Sequence, residues 1–278
     1  MPPAADPASR LYAESLLAFW AEAGVDAMLL DEAVDRIEAG KFVPPPAPTR
    51  PAPTATVSPI RPIAGAGQPD VSGAVAQAQA LAAQAETLDQ LAALIADFEG
   101  CPLSSEGAAT QAVFARGAPD APVMVIGEGP GADEDRQGAP FVGRAGQLLD
   151  RMLGAAGLTG RVFITNTVFW RPPGNRTPTP AEQTICAPFV ERAVQLVKPR
   201  MLLLVGGASA KSMLKRDEGI LSLRGRWIEW RSADGSLELP AMPTLHPAFL
   251  LRQPAAKKRA WADLLTLTER LDRPERPE

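Results

Sequence analysis

Val123-Met124-Val125-Ile126, followed at once by Gly127-Glu128-Gly129-Pro130-Gly131 and then by Ala132-Asp133-Glu134-Asp135, is the stretch that decides the fold. Four apolar residues without polar alternation read as a strand covered on both faces, the condition of a parallel sheet with helices above and below. Working outward, apolar runs recur at 162–164, 201–205 and, less cleanly, 242–245, with helical patterns at 146–156 and 181–197 between them. The order predicts a three-layer α/β/α sandwich around a central, mainly parallel four-stranded sheet. In such sheets ligands bind beyond the carboxyl ends of the strands, so the residues just after each run are the ones to read.

The flanks differ in kind. Residues 1–42 carry apolar side chains at roughly helical spacing (Leu11, Leu16, Trp20, Met28, Leu29, Ile37) interrupted by Gly24, which predicts a short helical extension. Residues 43–72 are dominated by Pro, Ala, Thr and Gly and read as an extended linker. The body is expected to run from 73 to 278, opening with one or two alanine-rich helices over 73–98. A protein partner for the N-terminal segment is possible on this reading, but nothing in the residues names one.

Composition limits the function classes. The chain of 278 residues has a formal charge of −4, which argues against a strongly phosphate-driven nucleic-acid binder. The acidic excess lies before residue 73, however, and the body is balanced, with basic clusters at Arg224 and Arg226 and at Lys257-Lys258-Arg259. No apolar run approaches the roughly 18–20 residues of a membrane span, and Met1 to Arg10 lacks the order of a signal peptide, so a cytoplasmic protein without a membrane partner is expected. Two cysteines, Cys101 and Cys186, are too few for a disulfide framework and lack zinc spacing.

The chemistry-bearing residues sit where the strands end. The glycine loop 127–131 permits close approach of backbone to a ligand, but the neighbouring carboxylates Glu128, Asp133, Glu134 and Asp135 would repel phosphate and suit water or a cationic sugar better. Next come Pro140-Phe141-Val142-Gly143-Arg144-Ala145-Gly146, then Thr165-Asn166-Thr167, then Arg171-Pro172-Pro173-Gly174-Asn175-Arg176, and last His246-Pro247-Ala248-Phe249-Leu250-Leu251-Arg252. His246 is the only histidine. Taken singly, a lone histidine is more often structural, an asparagine after a strand a turn residue, and a phenylalanine core.

Taken in order, these five stretches resemble the motifs of the family-four uracil-DNA glycosylases, over essentially residues 98–266. The resemblance implies hydrolysis of the N-glycosidic bond of uracil in single- or double-stranded DNA after the base is flipped out. It implies that Phe141 stacks on the base beside Gly127 and Gly129, and that Asn166 reads O4 and N3–H with its amide. His246 would donate to O2 of the departing base. Glu128 would orient water or stabilise the sugar cation, with Glu134 and Asn175 in support. Arg144 and Arg252 would meet the DNA backbone and Leu250 would fill the vacated stack. Where many distant relatives carry an aspartate after Glu128, this chain has Gly129, and no basic insertion precedes Phe141.

Members of the family hold a [4Fe–4S] cluster on four cysteines, and only Cys101 and Cys186 match; Phe98 and Trp170 stand at the other two positions. The resemblance therefore implies a degenerate site without a cofactor, its volume filled by the two aromatic rings. Two other readings remain open: a phosphate-binding α/β protein using the glycine loop, and a catalytically inactive DNA-binding or polymerase accessory module of the same fold. The linker composition yields a first expectation. A fragment of residues 73–278 should stay soluble and keep the function of the intact chain, and aggregation or inactivity of that fragment would refute the boundary.

Overall fold

The computed structural model describes residues 70–105 and 108–273; the expectations for residues 1–42 and for most of the 43–72 linker lie outside them. The first helix, α1 (Val71–Gln84), begins two residues ahead of the expected boundary because Asp70 caps it, its carboxylate accepting from the amide of Gly73 at 3.0 Å. Helix α2 (Leu88–Ala96) follows, capped by Thr87, and then a single turn, α3 (Pro102–Ser105).

The sheet has strands β1 (Ala115–Gly117), β2 (Val123–Gly127), β3 (Val162–Asn166), β4 (Met201–Val205), β5 (Ile228–Arg231) and β6 (Glu238–Thr244), in the order β1-β3-β2-β4-β6-β5. The four inner strands are parallel. The expected four-stranded sheet is corrected to six, because short strands β1 and β5 add antiparallel edges to β3 and β6. Of the four inner strands only β6 resists a clean reading from sequence. Met201–Val205 is a plain apolar run, whereas β6 carries Pro240 and Pro243, residues that remove ladder donors and disguise a strand.

Side-chain alternation builds the layers. Met124 and Ile126 of β2 with Leu202 and Leu204 of β4 face one core, shared with α1, α2, α6 (Pro180–Val197) and α7 (Gly207–Leu214). Val123 and Val125 with Met201, Leu203 and Val205 face the other, shared with α5 (Arg144–Ala155) and α10 (Lys257–Leu271). Between these lie three short helices: α4 (Ala132–Gln137), α8 (Ile220–Leu223) and α9 (Pro247–Arg252).

The first core contains the four residues at the cluster positions. Phe98, Cys101, Trp170 and Cys186 are all buried. The rings of Phe98 and Trp170 lie 6.3 Å apart, Phe98 meets Phe189 edge-on at 5.1 Å, and the two sulfurs are 3.8 Å apart. A [4Fe–4S] group needs four thiolates. Here the rings fill the places of two ligands, and burial, with the neighbouring Cys101 thiol, pushes the Cys186 thiol well above its ordinary range. The residues present do not fit such a cluster; they pin the start of the domain to α6 by apolar packing. Phe98→Ala should therefore lower unfolding free energy by about 3–5 kcal/mol, read from urea denaturation. A loss below about 1 kcal/mol would show that the plug contributes little.

Candidate active site

The carboxyl ends of the inner strands converge on a cleft of about 570 Å³. Gly127 ends β2, Asn166 ends β3 directly opposite it, Gly206 follows β4, and His246 stands two residues beyond β6. Two threonine contacts fasten the strand ends. Thr167 donates its amide to the Gly127 carbonyl at 3.0 Å and its hydroxyl to the Glu128 carbonyl at 2.6 Å. Beneath them the Ser209 hydroxyl donates to the carbonyl of Ile126 at 2.6 Å.

Phe141 and Asn166 share the space that Gly127 leaves. A Cβ built at residue 127 would fall 2.4 Å from both the Phe141 ring and the Asn166 Oδ1. Phe141 itself sits at φ +56°, a left-handed conformation that bulky residues rarely adopt and that costs on the order of 1–3 kcal/mol. Its carbonyl presses onto α5 at Gly146, where a Cβ would approach the Phe141 oxygen to 1.7 Å. The result is a ring whose centroid lies 5.8 Å from that of His246, in the same cleft.

Asn166 is buried, and its Oδ1 has no hydrogen-bond partner among the described residues. Buried acceptors are nearly always satisfied, so an orphan at a strand end in a cleft marks a place for a ligand donor. His246 is the N-cap of α9, and its Nδ1 accepts the Ala248 amide at 3.2 Å. That bond leaves the neutral ring's proton on Nε2. Burial, helped by the positive charge of Arg252 and opposed by Glu134, lowers the His246 pKa to about 4.

The two glutamates divide. Glu134 Oε1 accepts the amides of Val142 and Gly143 at 3.0 and 2.9 Å, while Oε2 accepts that of Gly131 at 3.1 Å. Its carboxylate thus stitches the glycine loop to the Phe141 loop. Glu128 and Gly129 line the cleft, and no described residue donates to the Glu128 carboxylate. Asn175 also lines it, with Oδ1 accepting from Arg171 Nε at 2.7 Å, and Arg252 stands at the rim. Arg144 is exposed at the start of α5.

One expected site residue is misplaced. Leu250 is fully buried against Leu148, Leu245 and Ala260, so it cannot enter a base stack; it holds α9 to the body. Its neighbour Leu251 is 36% exposed. Pro247 and Leu250, three apart on one face of α9, turn inward, and that spacing was the available cue. Thr167 and Ser209, which fasten the strand ends, carried no distinguishing pattern in sequence. The phosphate-loop reading loses ground here, since the first turn of α4 beyond the glycine loop presents Asp133, Glu134 and Asp135. Among the described residues, no group of three or more His, Cys, Asp or Glu side chains is placed to hold a metal ion.

A doubly flanked, mainly parallel sheet with an aromatic ring, an unpartnered amide oxygen and an imidazole gathered in a cleft at its strand ends is the class of α/β fold and site these residues define. The family model for the uracil DNA glycosylase superfamily matches residues 114–265, and the chain belongs to that superfamily. It is similar to the type-4 uracil-DNA glycosylase of Pyrobaculum aerophilum, 40% identical over 182 residues, covering 64% of this chain and 91% of that protein. It is also similar to those of Sulfurisphaera tokodaii, 37% identical over 173 residues (60% of this chain, 78% of the relative), and Thermotoga maritima, 37% over 154 residues (55% and 77%).

The crowding at Gly127 supplies a direct check. Gly127→Ala must displace both the Phe141 ring and the Asn166 amide, so activity should fall roughly 10- to 100-fold. Overpacking should lower stability by only about 1–3 kcal/mol. Parental activity in this variant would show that the shared space is not used.

Proposed function

We infer that the protein is a DNA repair glycosylase that hydrolyses the N-glycosidic bond of uracil in DNA, in single strands or in duplexes, leaving an abasic site. The observation that carries the reading is the unpaired Asn166 Oδ1, buried in the cleft that Phe141 and His246 also line. Uracil offers an N3–H donor where cytosine offers an acceptor, and a fixed amide rejects the latter by leaving polar groups unpaired. Extruding the base costs a few kcal/mol of stacking and pairing, and the Phe141 face returns part of it.

As the bond breaks, negative charge collects on the base and positive charge on the sugar. In this reading the Nε2–H of neutral His246 donates to the developing oxyanion at O2. Glu128, to which no described residue donates, orients the attacking water or faces the oxocarbenium-like sugar in this reading. Glu134 and Asn175 act through the loops they hold. Arg252 and Arg144 are the candidate phosphate contacts, and Leu251, rather than Leu250, has the exposure to fill the vacated stack. No step passes through an iron–sulfur group. Among the described residues no helix is long and apolar enough to cross a membrane.

The test is incubation with a uracil-containing oligonucleotide followed by alkali, which breaks the strand at an abasic site. His246→Ala and Asn166→Ala should each slow excision by about 100-fold or more while melting near the parental temperature. Near-parental cleavage by both would refute the site assignment, and uncut DNA with the parental protein would refute the reaction. The acid side adds a second check. Because His246 titrates near 4 in the folded chain, against an ordinary 6.5, the single-turnover rate should stay level from pH 8 to 6 with no inflection near 6.5. The unfolded chain takes up its proton first as pH falls, so this group also lowers stability as pH drops from 6.5 towards 4. A rate limb centred between 6 and 7 that vanishes in His246→Ala would contradict the neutral donor.

A further inference from the structure

The left-handed backbone at Phe141 lies in an irregular loop, outside any helix or strand that would impose it. Its amide side is gripped by Glu134, through the N–H groups of Val142 and Gly143. Its carbonyl side is gripped from another element altogether. Arg116, in edge strand β1, donates Nε to the Pro140 carbonyl at 2.7 Å and Nη2 to the Phe141 carbonyl at 3.1 Å. The same Nη2 donates to Asp150 Oδ1 on α5 at 2.6 Å. The register of β1 against β3 pairs Arg116 with Ile164, two residues before Asn166, so the strand that carries the base-reading amide also anchors the arginine.

We propose that Arg116, oriented by Asp150, is a positioning residue that holds Phe141 in its left-handed conformation and thereby sets the aromatic face for the extruded base. This rests on the glycosylase reading of the cleft. A planar guanidinium is suited to the task because two of its N–H groups, in fixed geometry, span two successive carbonyls; a lysine ammonium presents a single point of charge. Arg116 is a partly exposed side chain at the sheet edge, and its role is exerted through the Phe141 backbone rather than on the substrate.

The experiment compares Arg116→Met, Arg116→Lys and Asp150→Asn in the full chain by single-turnover excision of uracil, by binding to a uracil-free oligonucleotide and by melting temperature, each also in a Phe141→Ala background. Arg116→Met should slow excision roughly 10- to 100-fold with unchanged binding to uracil-free DNA, Arg116→Lys less so. In the Phe141→Ala background the further loss should vanish, because the ring through which Arg116 acts is gone. Parental rates in Arg116→Met, or the same fold-loss with and without the Phe141 ring, would overturn the proposal. A crystal structure of Arg116→Met decides it independently of activity: Phe141 still at positive φ with its ring over Gly127 refutes the clamp, and a relaxed loop supports it. A parental protein that leaves uracil DNA intact would refute the glycosylase reading while the crystallographic comparison still judges the clamp.

Discussion

The absence of a side chain at Gly127 is the constraint on which the site depends. Strand β2 is the centre of the sheet, paired on both sides, and its last residue sits where a Cβ would collide with the Phe141 ring and the Asn166 amide together. The hydrogen in that place lets an aromatic face and a hydrogen-bonding edge reach the same few cubic ångströms from two different directions. The other contacts follow from this crowding: Phe141 must turn through a left-handed conformation to arrive, Gly146 must lack a Cβ to let its carbonyl pass, and charged side chains must hold the loop open against relaxation. Strain of this kind persists only where neighbours over-determine it.

What sequence could convey follows the physics of each element. The inner strands β2, β3 and β4 were legible because burial on both faces demands unbroken apolar runs, while β6 was blurred by Pro240 and Pro243. Edge strands β1 and β5 are short and carry Arg116, Glu229 and Arg231, as edges exposed to solvent do, so their composition resembles loop. Candidate site residues were legible where a motif ends a strand, as with Asn166 and His246. Contacts made by backbone were not. Nothing in the pattern of residues states that Glu134 spends both oxygens on loop amides, or that Phe141 has positive φ, since these are consequences of loop closure. The exchange of Leu250 for Leu251 is intermediate: a motif names both leucines, and only the helical face decides which one meets solvent.

The plug of Phe98, Cys101, Trp170 and Cys186 shows the same separation between scaffold and chemistry. It lies in the core shared by α2 and α6, whereas Phe141, Asn166 and His246 stand at the strand ends. Aromatic rings meeting at 5 to 6 Å supply by contact area what metal–ligand bonds supply by covalency, and the two buried sulfurs meet each other at 3.8 Å.

The electrostatics of the cleft then turn on keeping one ring neutral beside two carboxylates. A nearby carboxylate favours imidazolium, and Glu134 pulls His246 in that direction; burial and Arg252 pull harder the other way. The Ala248 amide adds a geometric lock, because a protonated Nδ1 has no lone pair to accept it and the first turn of α9 would lose its cap. Glu134 is in turn tied to three amides across two loops. On the proposed mechanism the Glu128 carboxylate, to which no described residue donates, would respond to a cationic sugar, while the imidazole would face the departing anion as a donor without a charge of its own. In that mechanism a carboxylate facing the sugar and a neutral donor facing the base would stabilise the two developing charges without forming an internal ion pair that would quench both.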